Sequence, residues 1–279
     1  MADYLSYQFV DSEEFVYTFD ELPLWSAPFG LLLLKHVDLK PNLTVLDIGS
    51  GAGFPLLELA GRLGASSKLY GLDPWTNANK RARQKIINYQ LSNVEIVENS
   101  AEQIPFADNY FDLIVSNLGI NNFDKPQAVL NECFRVLQTS GKLILTTNLH
   151  GHWQEFYTIF ESTLKQIGKE KFVKPLIEHQ EHRGTVESVT KLFTECGLKV
   201  CRYYEEIFEM KFLDGSAFLN HYFVKLGWLT TWIGLFPKSD LKEIFSALER
   251  NLNIYSNASN GLTLTVPMLY IEGEKAGRR

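Results

Sequence analysis

The run Val45-Leu46-Asp47-Ile48-Gly49-Ser50-Gly51-Ala52-Gly53-Phe54-Pro55 constrains the fold of this chain more than any other stretch. Leu43 to Ile48 is short, apolar and rich in β-branched residues, the pattern of a strand covered on both faces. Glycine then recurs at every second position. It removes side chains where the backbone turns sharply and where a ligand needs to come close. Pro55 suits the first turn of a helix, where a missing N–H costs nothing. A strand, a glycine loop and a helix start leave free N–H groups that favour an anionic or polar ligand. Glycines at 49, 51 and 53 do not match the dinucleotide fingerprint, whose third glycine stands one position later. Nor does that fingerprint carry an acid two positions before its first glycine, which argues against a nicotinamide or flavin site.

The same rhythm continues to about residue 148. Strands are expected near 43–48, 68–73, 94–97, 112–117 and 142–147, with helices near 55–63, 76–90 and 126–138. Such alternation predicts a parallel sheet with helices on both faces and right-handed crossovers. Beyond 148 the pattern changes. Helices are expected over His152 to Gly168, Thr185 to Cys196 with Thr185 as cap, and Ser239 to Leu252 with Ser239 or Asp240 as cap. Further strands are expected near 198–208 and 262–271, and the charged tail from Glu272 to Arg279 reads as frayed. Residues 1–40 are rich in aromatics, among them Tyr4, Tyr7, Phe9, Phe15, Tyr17, Phe19, Trp25 and Phe29, and Leu31 to Val37 reads as part of a helix packed on the sheet edge.

At 279 residues the chain can bury a full core, as one large domain or a domain with a cap. A net charge of −6 gives no dominant basic face, which disfavours nucleic acid as a partner. Cys133, Cys196 and Cys201 lack the paired spacing of a zinc site or disulfide framework. They read as buried, reduced thiols, and no metal is expected. Met1-Ala2-Asp3-Tyr4 does not open a basic region followed by an apolar core, so a cytoplasmic location is expected. Phe218 to Pro237 is apolar and aromatic, but Asn220, His221, Lys225, Gly227 and Gly234 interrupt it. It reads as a buried pair of cap helices rather than a membrane span.

The second strand, Lys68-Leu69-Tyr70-Gly71-Leu72-Asp73, ends on an acid. At the carboxyl edge of an open α/β sheet, such a carboxylate can accept from both hydroxyls of a ribose. It can equally cap the helix beginning near Thr76. With Asp47 included, the glycine run resembles motif I of the class I S-adenosyl-L-methionine (SAM) dependent methyltransferases, D-x-G-x-G-x-G. Ser100-Ala101-Glu102-Gln103-Ile104-Pro105-Phe106-Ala107-Asp108, followed by Phe111-Asp112, is similar to D-A-E-x-L-P-F-x-D-x-x-F-D of that family's small-molecule branch. Glu132-Cys133-Phe134-Arg135-Val136-Leu137 with Gly141 is similar to its E-x-x-R-V-L-x-x-G-G, with Ser140 in place of the first glycine. The resemblance covers residues 43–147. Ser100 departs from the family's aspartate, and a serine accepts from an adenine amino group only without charge.

The resemblance implies a three-layer, doubly wound α/β fold. Its seven-stranded sheet is mostly parallel with the last strand antiparallel, and helical lid or cap insertions surround it. It also implies a division into an aromatic-rich lid segment (1–40), a SAM-binding core (41–150) and the remaining strands with a helical cap (151–279, the cap at about 209–261). Asp47, Gly49, Ser50, Gly51, Gly53, Asp73, Pro74, Ser100, Ala101, Glu102 and Asn117 are the implied cofactor residues. Pro74 or Trp75 can pack on the adenine, and Trp75 can equally be core. The implied reaction is in-line displacement of a methyl group by a small, apolar or aromatic molecule, with most of the rate from positioning. A base is needed only for a protonated nucleophile. His221, His150, His152 and Tyr222 are candidates, each of which reads as readily as a packed or surface side chain. Tyr17, Trp25, Phe29 and His221 are candidates for the acceptor pocket. Lys80-Arg81-Ala82-Arg83-Gln84-Lys85 reads as a solvated helix face, and Glu132 with Arg135 as a structural pair. The N-P-P-Y signature of nucleic-acid base methylation is absent, its place taken by Ser116-Asn117-Leu118-Gly119. A non-catalytic SAM-binding protein, a methyltransferase of a macromolecule and a homodimer remain open alternatives.

Overall fold

The computed structural model describes residues 3–8, 10–20, 24–181 and 183–277; Phe9 and Arg278–Arg279 of the expected tail lie outside the described residues. The strands are β1 (Thr44–Ile48), β2 (Lys68–Leu72), β3 (Val94–Val97), β4 (Phe111–Asn117), β5 (Leu137–Asn148), β6 (Lys199–Phe212) and β7 (Leu262–Glu274). They form one seven-stranded sheet in the order β3-β2-β1-β4-β5-β7-β6. β1 pairs in parallel with β2 and β4, β2 with β3, and β4 with β5, whereas β7 runs antiparallel to β5. Val45, Leu46, Ile48, Leu69, Leu72, Ile114 and Val115 are buried, as strands covered on both faces require. The chain order reverses at β1 and β4. In an open α/β sheet, ligands bind at the carboxyl ends of the strands on either side of that reversal.

The helices, in chain order, are α1 (Glu13–Asp20), α2 (Ser26–His36), α3 (Leu56–Leu63), α4 (Thr76–Asn88), α5 (Pro126–Val136), α6 (Gln154–Gln166), α7 (Val173–Glu181), α8 (Val186–Glu195), α9 (Gly215–Asn220), α10 (Tyr222–Val224), α11 (Thr230–Gly234) and α12 (Leu241–Ser259). The chain divides into two compact units. One comprises residues 11–148, 184–206 and 268–279, and the other residues 1–10, 149–183 and 207–267. In the first, α2 packs on β4 and β5, α3 on β2, α4 on β3, and α5 on β5 and α8. Thr185 caps α8 as expected: its hydroxyl accepts from the Ser188 amide at 3.2 Å, and the Ser188 hydroxyl accepts from the Thr185 amide at 2.8 Å.

The second unit is built on aromatic packing. Trp153 lies 4.7 Å from Trp228, and Phe156 lies 4.5 Å from Trp232, centroid to centroid. The Trp232 indole donates to the Tyr157 hydroxyl at 3.2 Å. The apolar stretch Phe218–Pro237 folds into α9, α10, a π-helical turn (Lys225–Leu229) and α11, with Phe218, Trp228 and Trp232 buried. Among the described residues, no helix is long and apolar enough to cross a membrane.

Several local expectations are corrected. β5 begins at Leu137 rather than 142, with a register shift against β4 between Phe111 and Leu113. Ser140 holds φ at 65° there, a left-handed backbone that the glycine of the family pattern adopts without strain. The tail is not frayed at Glu272. β7 continues to Glu274, and the Glu272 carboxylate, 2% exposed, pairs with Lys142 and Arg202 at 2.8 Å each and accepts from the Tyr270 hydroxyl. Burial alone raises its pKa, yet these three partners hold it below the ordinary carboxylate value. Breaking such a buried pair costs about 3–5 kcal/mol. Asp240 precedes α12, but its side chain makes no capping bond and pairs instead with Lys169 at 3.3 Å. Cys133 and Cys196 are buried, but Cys201 is exposed because β6 is an edge strand.

Candidate cofactor site

The parallel register sets the site. Asp47 stands beside Gly71 and Ile48 beside Leu72, so the loop after β1 and the last residue after β2 emerge side by side. Gly49, Gly51 and Gly53 have φ of 72°, 49° and 100°, values that an L side chain rarely adopts. The Gly49 and Ser50 amides both donate to the Leu72 carbonyl, at 2.8 and 3.3 Å. A Cβ on Gly53 would stand 2.9 Å from the Leu57 side chain, so this glycine serves packing. A Cβ on Gly51 would meet nothing within 4 Å, so this glycine borders open space at the crevice.

Asp73 closes the arrangement. One carboxylate oxygen accepts from the Gly51 amide and the other from the Trp75 amide, each at 2.8 Å. The side chain therefore anchors the start of α4 and also reaches the glycine loop. Each oxygen keeps a further lone pair for an incoming hydroxyl. Asp73 is 8% exposed, and burial raises its pKa even against the two amides that lower it.

Asp47 is wholly buried, and neither carboxylate oxygen has a hydrogen-bond partner. Burial drives its pKa well upward and the nearby Asp73 adds to this; the Leu56 amide pulls the other way without making a hydrogen bond. Ser50 is also buried with its hydroxyl unpartnered. Unsatisfied buried polar groups are rare in folded proteins. Two of them behind one glycine loop mark a place where stability is given up.

The remaining cofactor candidates line the same sheet edge unevenly. Ser100 is exposed, and its hydroxyl accepts from the Glu102 amide at 3.2 Å. Ala101 is buried, Pro74 is exposed, and Glu102 stands 3.5 Å from Lys125. Glu132 and Arg135 pair as read from the sequence, at 2.7 Å, and they also clamp this loop. Glu132 accepts from the Ile104 amide, and Arg135 donates to the carbonyls of Ile104 and Phe106. Asn117 is committed within the fold, donating to the Ser26 carbonyl and accepting from Thr146. It holds the start of α2 at the end of β4.

Of the acceptor-pocket candidates, Phe29 is fully buried with Trp25 5.2 Å away, and Tyr17 lies on α1 with the Arg81 guanidinium 4.2 Å over its ring. His221, His150, His152 and Tyr222 belong to the other unit. There, His150 is exposed and His152 fully buried; Tyr222 is 40% exposed and meets Tyr7 edge-on. His221 packs on Phe212 and Phe223, its Nδ1 has no hydrogen-bond partner, and burial lowers its pKa. Sequence reasoning missed Asp11, which accepts from the Trp75 indole at 3.0 Å and from Asn77 at 3.2 Å. It also missed Asp20, whose partners Arg81 and Lys85 lie in the run read as solvated. The complementary signs of the 11–20 and 80–85 segments were the available signal.

Comparison with known proteins identifies the family. A family profile described as a methyltransferase domain matches residues 46–145. A demethylmenaquinone methyltransferase of Bacillus mycoides is 32% identical over 176 residues, covering 60% of this chain and 74% of the relative. The chain belongs to the class I SAM-dependent methyltransferases. Solved methyltransferases share the fold. A SAM-dependent methyltransferase from Aquifex aeolicus is 23% identical with a TM-score of 0.54, over 70% of this chain and 92% of that one. A Haemonchus contortus phosphoethanolamine N-methyltransferase, solved with S-adenosylhomocysteine, is 18% identical with a TM-score of 0.53, over 91% of this chain and 53% of that one.

The orphaned Asp47 of this methyltransferase yields a pH test. Its pKa in the folded state lies above the ordinary 3.8, so as pH rises past that value the native state keeps a proton that the unfolded chain has lost. Its contribution to stability is therefore full at low pH and falls as pH rises toward the folded-state value. Asp47→Asn removes this term. The ligand-free variant should lose the decline and gain on the wild type as pH rises through the acid range. Parallel stability curves for the two proteins across the acid range would contradict the account.

Proposed function

We propose that this methyltransferase transfers a methyl group from SAM to a small, apolar or aromatic molecule. We further propose that Asp47, Asp73, the loop 49–53 and the segment 100–102 hold the donor. The observation that carries the cofactor assignment is the Asp73 carboxylate, fixed on the Gly51 amide and retaining acceptor capacity for a diol. The open space over Gly51 and the orphaned polar groups of Asp47 and Ser50 fit the same ligand. SAM supplies a methyl group on a cationic sulfur, already activated for displacement.

The contribution of the chain is then orientation and exclusion of water. Asp73 fixes the ribose end, the Gly49–Gly53 backbone fits closely against the donor, and the 100–102 turn borders the adenine. Holding the reacting atoms at near-attack distance is worth about 7–11 kcal/mol in favourable cases, so a dedicated base is not required for every acceptor. His221, His150 and Tyr222 stay as candidates for an acceptor that must lose a proton. The small-molecule class is supported by the name of the Bacillus mycoides relative and by the net charge of −6, which disfavours a dominant nucleic-acid footprint.

Calorimetry should show S-adenosylhomocysteine binding and no NAD binding. Methyl-labelled SAM should label quinol or phenol acceptors in preference to RNA or protein. Binding without transfer to any acceptor would favour a non-catalytic role, and NAD binding alone would overturn the proposal. Asp73→Ala should weaken S-adenosylhomocysteine by about 1–3 kcal/mol, the loss expected for a charge-assisted hydrogen bond. Unchanged affinity in the folded variant would confine Asp73 to anchoring α4.

A further inference from the structure

α1 is an eight-residue helix with a single buried residue, Val16. A helix this short is marginal alone, and so little apolar burial does little to hold it down. Charge does so instead. Asp20, 14% exposed, accepts from Arg81 Nε at 2.8 Å and from Lys85 Nζ at 2.7 Å, and these cations are only 19% and 13% exposed. Exposed ion pairs are weakened by water and side-chain entropy, whereas a shielded acid gripped by two cations is less so. Around this core, Arg81 covers the Tyr17 ring and Glu13 meets Lys80 at 2.7 Å.

The helix also packs on Trp75. Phe15 and Phe19 flank the Trp75 ring at 6.3 and 6.1 Å, and Asp11 just before α1 accepts from the Trp75 indole. The Trp75 amide donates to Asp73, whose other oxygen holds Gly51. α1 therefore leans on the residue two positions beyond the proposed ribose ligand.

We propose that α1 is a charge-latched gate of the cofactor site, in which Asp20, gripped by Arg81 and Lys85, holds the helix on Trp75 and retards departure of the bound nucleoside. This rests on the cofactor assignment above. Asp20, Arg81 and Lys85 are positioning residues that act through Trp75 and Asp73. Because apolar burial contributes so little, opening leaves the sheet intact. The same device governs entry of the methyl donor and release of its demethylated product, since both share the nucleoside.

The test compares wild type, Asp20→Asn and Asp20→Glu. In ligand-free Asp20→Asn, hydrogen exchange over residues 13–20 should rise while the β1, β2 and β4 amides stay protected. S-adenosylhomocysteine should dissociate about tenfold faster from this variant, the scale of one lost charge-assisted bond. Asp20→Glu, which keeps the charge, should restore most of the retention. Faster exchange with unchanged dissociation makes α1 a strut and overturns the gate, as does unchanged exchange. If wild type fails to bind S-adenosylhomocysteine, the cofactor assignment falls and the gate with it; if it binds and only the Asp20 effect is missing, the gate alone falls.

Discussion

A single carboxylate joins the parts on which the site depends. Asp73 accepts from Gly51 in the loop after β1 and from Trp75 at the start of α4, so two segments that leave neighbouring strands are tied at one point. The parallel register of β1 on β2 brings them within reach, and the apolar burial of both strands fixes that register. Fixing the glycine loop before a ligand arrives lowers the ordering cost of binding. Because Asp73 is buried and its partners are neutral amides, its charge is poorly compensated, and an incoming pair of hydroxyls has something to gain.

The same economy explains Asp47 and Ser50. A buried acid without a hydrogen bond is a liability in a folded chain, and burial with its acidic neighbour drives its pKa upward. Proteins break local rules of this kind where function requires it. The Glu272 cluster shows the opposite solution in the same sheet: a buried acid there has two cations and a tyrosine, and its pKa is held down. One buried acid is paired and the other is left without a hydrogen bond, and the difference lies in their partners.

Much of the first unit was legible because its signals are local. Strand periodicity, the glycine spacing and the acid at the end of β2 lie in short windows, and the strand order follows from βαβ connections. What escaped involves partners far apart in sequence. Lys80 to Lys85 looks like a solvated face until Glu13 and Asp20, some sixty positions away, are folded onto it. Glu272 looks like the start of a frayed tail because Lys142 and Arg202 cannot be seen from its neighbourhood in the chain. The strand reads as starting at 142 rather than Leu137, since nothing local announces the register shift that keeps Ser140 and Gly141 within β5. The acceptor site is harder still. Phe218, Trp228 and Trp232 announce an apolar interior, but an apolar pattern does not name a molecule.

The central claim is that Asp73, preset on Gly51, receives the ribose of the methyl donor. The most direct measurement is a crystal structure of the complex with S-adenosylhomocysteine. The account predicts both ribose hydroxyls within about 2.5–3.0 Å of the Asp73 carboxylate, with the Gly51 amide still donating to it. A nucleoside bound elsewhere, with Asp73 engaged only by Gly51 and Trp75, would contradict it.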